Sequence, residues 1–142
     1  ILEHGVRLTA RILVVDDELI VCRSCQRVLA ADGHHVSVVT TGEAAIRKIE
    51  EGSFDLTLLD LRIPGCGGLQ VQRAIREISP QTDVIIITGY PTIENAKESI
   101  RLGAFDYLTK PFVPRSLCTV VSQVLACKPW KMQERYEYGC RR

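Results

Sequence analysis

Apolar positions in this chain come in blocks whose spacing switches between runs and stripes. Residues 11–16, RILVVD, form an apolar run closed by an acid. Leu19, Cys22, Cys25, Val28 and Leu29 then recur at spacings of three and four, one stripe of an amphipathic helix that Gly33 ends. Residues 35–39, HVSVV, read as a strand. Thr41 is placed to cap a second helix with Ala44, Ala45, Ile46 and Ile49 on its inner face, and Gly52 stops it. Residues 54–60 run apolar into Asp60, and Pro64, Gly65, Gly67 and Gly68 make a loop. A third helix carries Leu69, Val71, Ala74, Ile75 and Ile78 inward and ends at Pro80. Residues 83–88, DVIIIT, are the next strand. Pro91 stands where a helix can start, because its missing N–H costs nothing there. Ile93, Ala96, Ile100 and Leu102 are its expected inner face, and Gly103 closes it. Residues 104–108 form the last strand, Lys110-Pro111 a turn, and Val113, Leu117, Val120, Val121, Val124 and Leu125 line the last helix.

Five strands thus alternate with five helices. Several strands are solidly apolar, without period-two alternation, so both of their faces are covered, as in a parallel sheet. The expected fold is a doubly wound α/β domain with a five-stranded parallel sheet over residues 11–127. Residues 128–142 form a basic, aromatic tail with Trp130, Met132, Tyr136 and Tyr138, read as the start of a linker or a natural end.

Composition narrows this little. The 142 residues are 46% hydrophobic and 25% charged, enough for one core and ordinary for a soluble globular protein. The net charge of +1 points to neither nucleic acid nor an acidic partner. No run of 18 apolar residues would span a membrane, and no signal-peptide pattern opens the chain. The first residue is Ile rather than Met, so the chain reads as trimmed at its start. Six cysteines do not make a disulfide scaffold in a chain with its own core. Cys22-x-x-Cys25 has a redox or zinc spacing, but no second such pair follows and both lie mid-helix, so buried thiols are expected. The expected compartment is cytoplasmic.

The chemistry lies at the strand ends. In an open α/β sheet, ligands bind beyond the carboxyl ends of the strands. Asp16 and Asp17 follow the first strand, Asp60 the third, Thr88 the fourth and Lys110 the fifth. Carboxylates gathered in one pocket repel each other and call for a cation. A hard divalent ion such as Mg²⁺ suits an all-oxygen donor set, and Lys110 adds a second positive charge. A carboxylate so placed can attack phosphorus and become an acyl phosphate, with Thr88 donating to a phosphoryl oxygen. One acid at one strand end is commonplace, but the full set at equivalent ends is not. No phosphate loop or dinucleotide fingerprint is present. Ser24, Ser53 and Ser116 have no convincing Asp–His partner, and His34 and His35 belong at the amino end of the sheet.

This ordered set resembles the receiver domains of two-component response regulators. The acidic pair matches Asp16-Asp17 and the phosphoacceptor matches Asp60. Pro64, Gly68, the hydroxyl of Thr88, the aromatic switch position Tyr107 and the pair Lys110-Pro111 follow in order. The stretch 87–112 is similar to receivers of nitrogen-regulation-type transcriptional activators. The resemblance implies a flavodoxin-like strand order 2-1-3-4-5 with helices on both faces. It implies Mg²⁺, with Mn²⁺ able to replace it, at Asp16, Asp17, Asp60 and the Arg62 backbone carbonyl. A histidine kinase or phosphotransfer protein would be the donor, Thr88 and Lys110 would contact the phosphoryl group, and Thr88 with Tyr107 would form the switch. Pro111 would follow a cis bond. Arg62 and Tyr90 would tune acyl-phosphate lifetime, and their bulk points to a moderate or long one; Gly89 leaves room beside the group. Ile63 stands where methionine is frequent, a mild packing change.

The resemblance also implies a homodimer through the fourth helix, fifth strand and fifth helix, and DNA reached only through an output module absent from this chain. Glu94, Lys97, Glu98 and Arg101 give that fourth helix a mixed-charge face. A stand-alone receiver acting by protein–protein interaction is the alternative. A Mg²⁺-dependent aspartyl-phosphate hydrolase is more remote, because the loop 61–68 supplies no acid to act on a leaving group. Beyond its own phosphorylation and dephosphorylation, no enzymatic turnover is expected.

Overall fold

The structure, a computed structural model, describes residues 9–127. The strands are β1 (Arg11–Val15), β2 (His35–Val39), β3 (Leu56–Asp60), β4 (Asp83–Thr88) and β5 (Asp106–Thr109). They alternate with helices α1 (Leu19–Ala31), α2 (Gly42–Glu51), α3 (Gly68–Ile78), α4 (Ile93–Arg101) and α5 (Pro114–Ala126). All pairings are parallel, in the order β2-β1-β3-β4-β5. Every residue of β3 and of β4 is buried, which is what their unbroken apolar runs require of strands covered on both faces.

Alternate residues of each strand feed two separate cores. Ile12, Val14, Leu56, Leu58, Ile85 and Ile87 pack with Cys22, Cys25 and Leu29 of α1 and with Leu117, Val121 and Val124 of α5. Leu13, Val15, Leu59, Val84 and Ile86 pack on the other face with Ala45 and Ile49 of α2 and Val71 and Ile75 of α3. Thr41 caps α2 by accepting a hydrogen bond from Ala44 N at 3.2 Å.

The structure departs from the expected elements in several places. β1 stops at Val15, so Asp16 lies just beyond it. β3 begins at Leu56, two residues later than expected; the Phe54 carbonyl accepts the Thr82 hydroxyl, and the Phe54 ring stays in the core. β5 starts at Asp106, since Ala104 N is taken by Ser99 O at the end of α4. Pro91 is not in the first turn of α4: Thr92 is the cap, accepting from Asn95 N at 3.0 Å. The helix that starts on proline is α5, at Pro114.

Leu19 and Val113 lie at the outer rims of α1 and α5 and are exposed, as is Ile78 at the end of α3. The largest departure is α4. Of its expected inner face, Ile93 and Ile100 are 71% and 64% exposed while Ala96 and Leu102 are half-buried, and the fully buried residue of the helix is Ser99. Glu98 also leaves the solvent face, turning to Arg73 of α3 at 3.3 Å. The tail, including Trp130, Met132, Tyr136 and Tyr138, lies outside the described residues. No helix among the described residues is long and apolar enough to cross a membrane.

Candidate functional site

A glycine-rich turn between β3 and α3 brings the site into register. Gly68 opens α3 directly against the end of β3, and its N–H bonds Leu61 O. A Cβ there would sit 2.4 Å from Leu61 Cα and 2.7 Å from Asp60 O, so only glycine lets the helix approach this closely. Gly67 before it has φ +80°. The packed loop holds Asp60 at the carboxyl edge of the sheet, where Asp16, Thr88 and Lys110 arrive from β1, β4 and β5.

Asp16 and Asp60 are buried and Asp17 is exposed. Ligating oxygens of all three lie within 4.8 Å of one another. Lys110 reaches into this cluster. Its Nζ is 2.7 Å from Asp16 Oδ2, 3.0 Å from Asp60 Oδ2 and 3.0 Å from Glu18 Oε1. Three carboxylates therefore share a single ammonium. Burial raises the Asp16 pKa above the ordinary carboxylate value, with the Lys110 hydrogen bond pulling against it. Burial would lower Lys110, but its hydrogen bonds to Asp16, Asp60 and Glu18 outweigh that and hold it above the usual lysine value. The Lys110–Pro111 peptide is cis.

The backbone fixes the remaining oxygens. Asp16 Oδ1 accepts Glu18 N at 2.9 Å, and Asp60 Oδ1 accepts Arg62 N at 3.0 Å. Buried Thr88 repeats that turn with its hydroxyl, accepting Tyr90 N at 3.1 Å. Arg62 and Tyr90 then meet: the guanidinium stands 4.1 Å from the ring centroid, a cation–π stack across the mouth of the site. A cleft of about 1040 Å³ opens there, running from Asp17, Asp60 and Tyr90 along α1 to Phe112 and Leu117.

Tyr107 is half-buried against the core face shared by α2 and α3. Its hydroxyl is shielded from solvent without a well-formed hydrogen bond. Burial raises its pKa, with the Thr92 backbone opposing the shift. Cys22 and Cys25 are buried free thiols beneath the site. Cys22 Sγ donates to Asp16 O at 3.2 Å, and burial pushes Cys25 up to about 11, so neither offers a thiolate at neutral pH. His34 accepts Ala10 N at 3.2 Å, far from this edge.

The structure thus gathers Asp16, Asp60 and Lys110 in direct contact, brings Asp17 within 4.8 Å of the two other acids, sets Thr88 and the Arg62–Tyr90 stack beside them, and packs Tyr107 on the core face shared by α2 and α3. Glu18 is the member that sequence reasoning passed over. Its place beside Asp17 is plain, but its hold on Lys110, 92 residues away, is not legible from spacing.

The response regulator receiver domain family matches residues 12–122. The transcriptional regulatory protein ZraR of Escherichia coli is 35% identical over 115 residues, covering 81% of this chain and 26% of that protein. The regulatory protein AtoC of Escherichia coli is 33% identical, covering 89% of this chain and 27% of that one. The chain spans about a quarter of the length of these relatives. Among solved structures, a CheY-like response regulator receiver domain protein from Methanospirillum hungatei is 31% identical, with a TM-score of 0.81 over 84% of this chain and 95% of that one. NtrX from Brucella abortus is 30% identical, with a TM-score of 0.82 over 89% of this chain and 29% of that one. Sheet order, acid set and match over nearly all of the described residues agree, and the chain belongs to the response regulator receiver domain family, as a signalling domain.

Proposed function

We propose that Asp60 is the phosphoacceptor of a switch spanning residues 11–127, with residues 128–142 the start of a linker to an output module that controls transcription. The observation that carries this reading is the triple contact of Lys110 with Asp16, Asp60 and Glu18. It is a preorganised cation beside a buried nucleophile.

An oxygen of Asp60 attacks the phosphorus of a phosphohistidine on a kinase or phosphotransfer protein. A P–O bond forms as the P–N bond breaks, and the electron pair leaves with the imidazole nitrogen. The donor set fits a hard cation: three carboxylates, two of them buried, whose oxygens converge within 4.8 Å. Asp16, Asp17, Asp60 and the Arg62 carbonyl would hold Mg²⁺, or Mn²⁺ in its place. Bound there, the ion supplies charge neutralisation for the phosphoryl oxygens. Lys110 shifts its hydrogen bonds toward the new phosphoryl oxygens. Thr88 gives up the Tyr90 N–H and donates to the phosphoryl group, while Tyr107 completes the switch. Arg62 and Tyr90 screen the acyl phosphate from water.

Intact mass after incubation with acetyl phosphate tests this. The expected result is a gain of one phosphoryl group that needs Mg²⁺ and is absent in Asp60→Asn. An adduct that persists in Asp60→Asn, or wild type that neither gains mass nor binds Mg²⁺, contradicts it.

A further inference from the structure

α4 is attached in an unusual way. Its large apolar side chains, Ile93 and Ile100, face outward, and Ser99 alone in the helix is buried. The side-chain contacts that hold its C-terminal end are polar and come from α3. Gln72 Nε2 donates to Ser99 O at 2.9 Å, and Arg76 donates to Arg101 O at 3.2 Å. Arg73 pairs with Glu98 at 3.3 Å. Both carbonyls lie in the last turn of α4; Ser99 O also accepts Ala104 N at 3.0 Å, so Gln72 is its second donor. α3 therefore ties down the C-terminal end of its neighbour, and all three contacts fall on residues 98–101. The N-terminal end, reached from Thr88 through Gly89, Tyr90, Pro91 and Thr92, carries its own cap at Thr92.

Gln72 is an odd choice for that job on stability grounds. It is 1% exposed, beside Val71 and Ile75 on the core face of α3. The Ser99 carbonyl can only accept, so the amide must turn its NH₂ that way. Its Oε1 is then left buried with no protein partner among the described residues. An unpaired buried carbonyl is a standing cost that an apolar side chain would avoid. A cavity of about 230 Å³ lies alongside, lined by Gln72, Arg76, Leu102 and Gly103 among others, and leaves room for the end of α4 to turn.

We infer that Gln72 is a positioning residue of the switch: it pins the C-terminal end of α4 to α3, so that α4 answers events at Thr88 by swinging from its N-terminal end. This rests on the receiver function above for its trigger, but the pin itself is a property of the unphosphorylated domain. Loss of the pin frees α4 without emptying a core.

The test uses Gln72→Met, which keeps length and apolar volume, and Gln72→Glu, whose carboxylate cannot donate to Ser99 O. Amide hydrogen exchange is measured on the unphosphorylated full chain. Residues 96–103 are expected to exchange roughly tenfold faster in both variants, with β1, β3, β4 and α5 unchanged. Unchanged exchange in α4, or a uniform rise across the domain, overturns the pin. Beryllofluoride with Mg²⁺, a phosphoryl mimic, is then titrated. If α4 release and site occupancy are linked, both variants bind it several-fold more tightly than wild type. Equal affinity, with α4 exchange raised, overturns the coupling to the switch. Wild type that binds no beryllofluoride at all removes the phosphoacceptor function and the trigger with it, while the exchange result still decides the pin.

Discussion

Two helices near β5 are held by opposite physics. α5 buries Leu117, Val120, Val121, Val124 and Leu125 against the sheet and α1. α4 buries a serine and leans on α3 through an amide, a guanidinium and an ion pair. Apolar burial is non-directional and large, so a helix held that way has one deep seat. A few polar contacts are directional and individually small, so a helix held that way opens at low cost. The site straddles the two. Lys110 arrives on the segment that leads into α5, and Thr88 on the segment that leads into α4. The side held by apolar burial carries the cation, and the side held by polar contacts carries the hydroxyl.

The sharpest break in this comparison is Leu117→Ala, which hollows the seat of α5. A loss of about 2–5 kcal/mol is expected in urea unfolding, as for other buried Leu truncations. A value below about 1 kcal/mol would mean that α5 is no more firmly held than α4. Next is Lys110→Ala, which leaves Asp16 and Asp60 buried without their ammonium. About 3 kcal/mol should be lost at pH 7 without divalent ions. Added Mg²⁺ should restore much of that loss, read as a Tm that rises with Mg²⁺ more steeply than in wild type. No greater rise would show that the acids do not depend on a cation.

Cys25, on the α5 side of the sheet, gives a pH test. Its thiol titrates near 11 in the folded chain against an ordinary 9.0. Between those values the unfolded chain has lost a proton that the folded chain keeps, so stability is full below pH 9 and falls as pH rises to about 11. The fall is on the order of 2 kcal/mol. Cys25→Ala should flatten that part of the stability profile, and an unchanged slope would show that the thiol is not desolvated. The smallest effect belongs to Ile100→Ala on α4: within about 0.5 kcal/mol, because the side chain stays largely in water. A loss above about 2 kcal/mol would place Ile100 in a core and reverse the account of α4.

The sheet and four of the helices were legible because unbroken apolar runs and three-four stripes have few other solutions in a parallel α/β domain. The clustering at the carboxyl edge was legible for the same reason: parallel strands put Asp16, Asp60, Thr88 and Lys110 at one end wherever the exact boundaries fall. α4 was not. Ile93, Ala96 and Ile100 form a proper stripe, but periodicity says which residues share a face and not which face is seated. The seat was decided by Gln72 and Arg76, polar residues whose partners are carbonyls 25 or more residues away. Glu18 escaped for a like reason, since its partner Lys110 is distant in the chain and its backbone place is an ordinary helix start.

The most direct test of the account is to locate the phosphoryl group chemically. Protein treated with acetyl phosphate and Mg²⁺ is reduced with borohydride, which converts an acyl phosphate of aspartate to homoserine, and the digest is mapped by mass spectrometry. The account predicts homoserine at position 60 and at no other position, with none formed when Mg²⁺ is withheld. Homoserine at position 16 or 17 instead, or a phosphoryl adduct that survives on another residue while Asp60 stays intact, would contradict it.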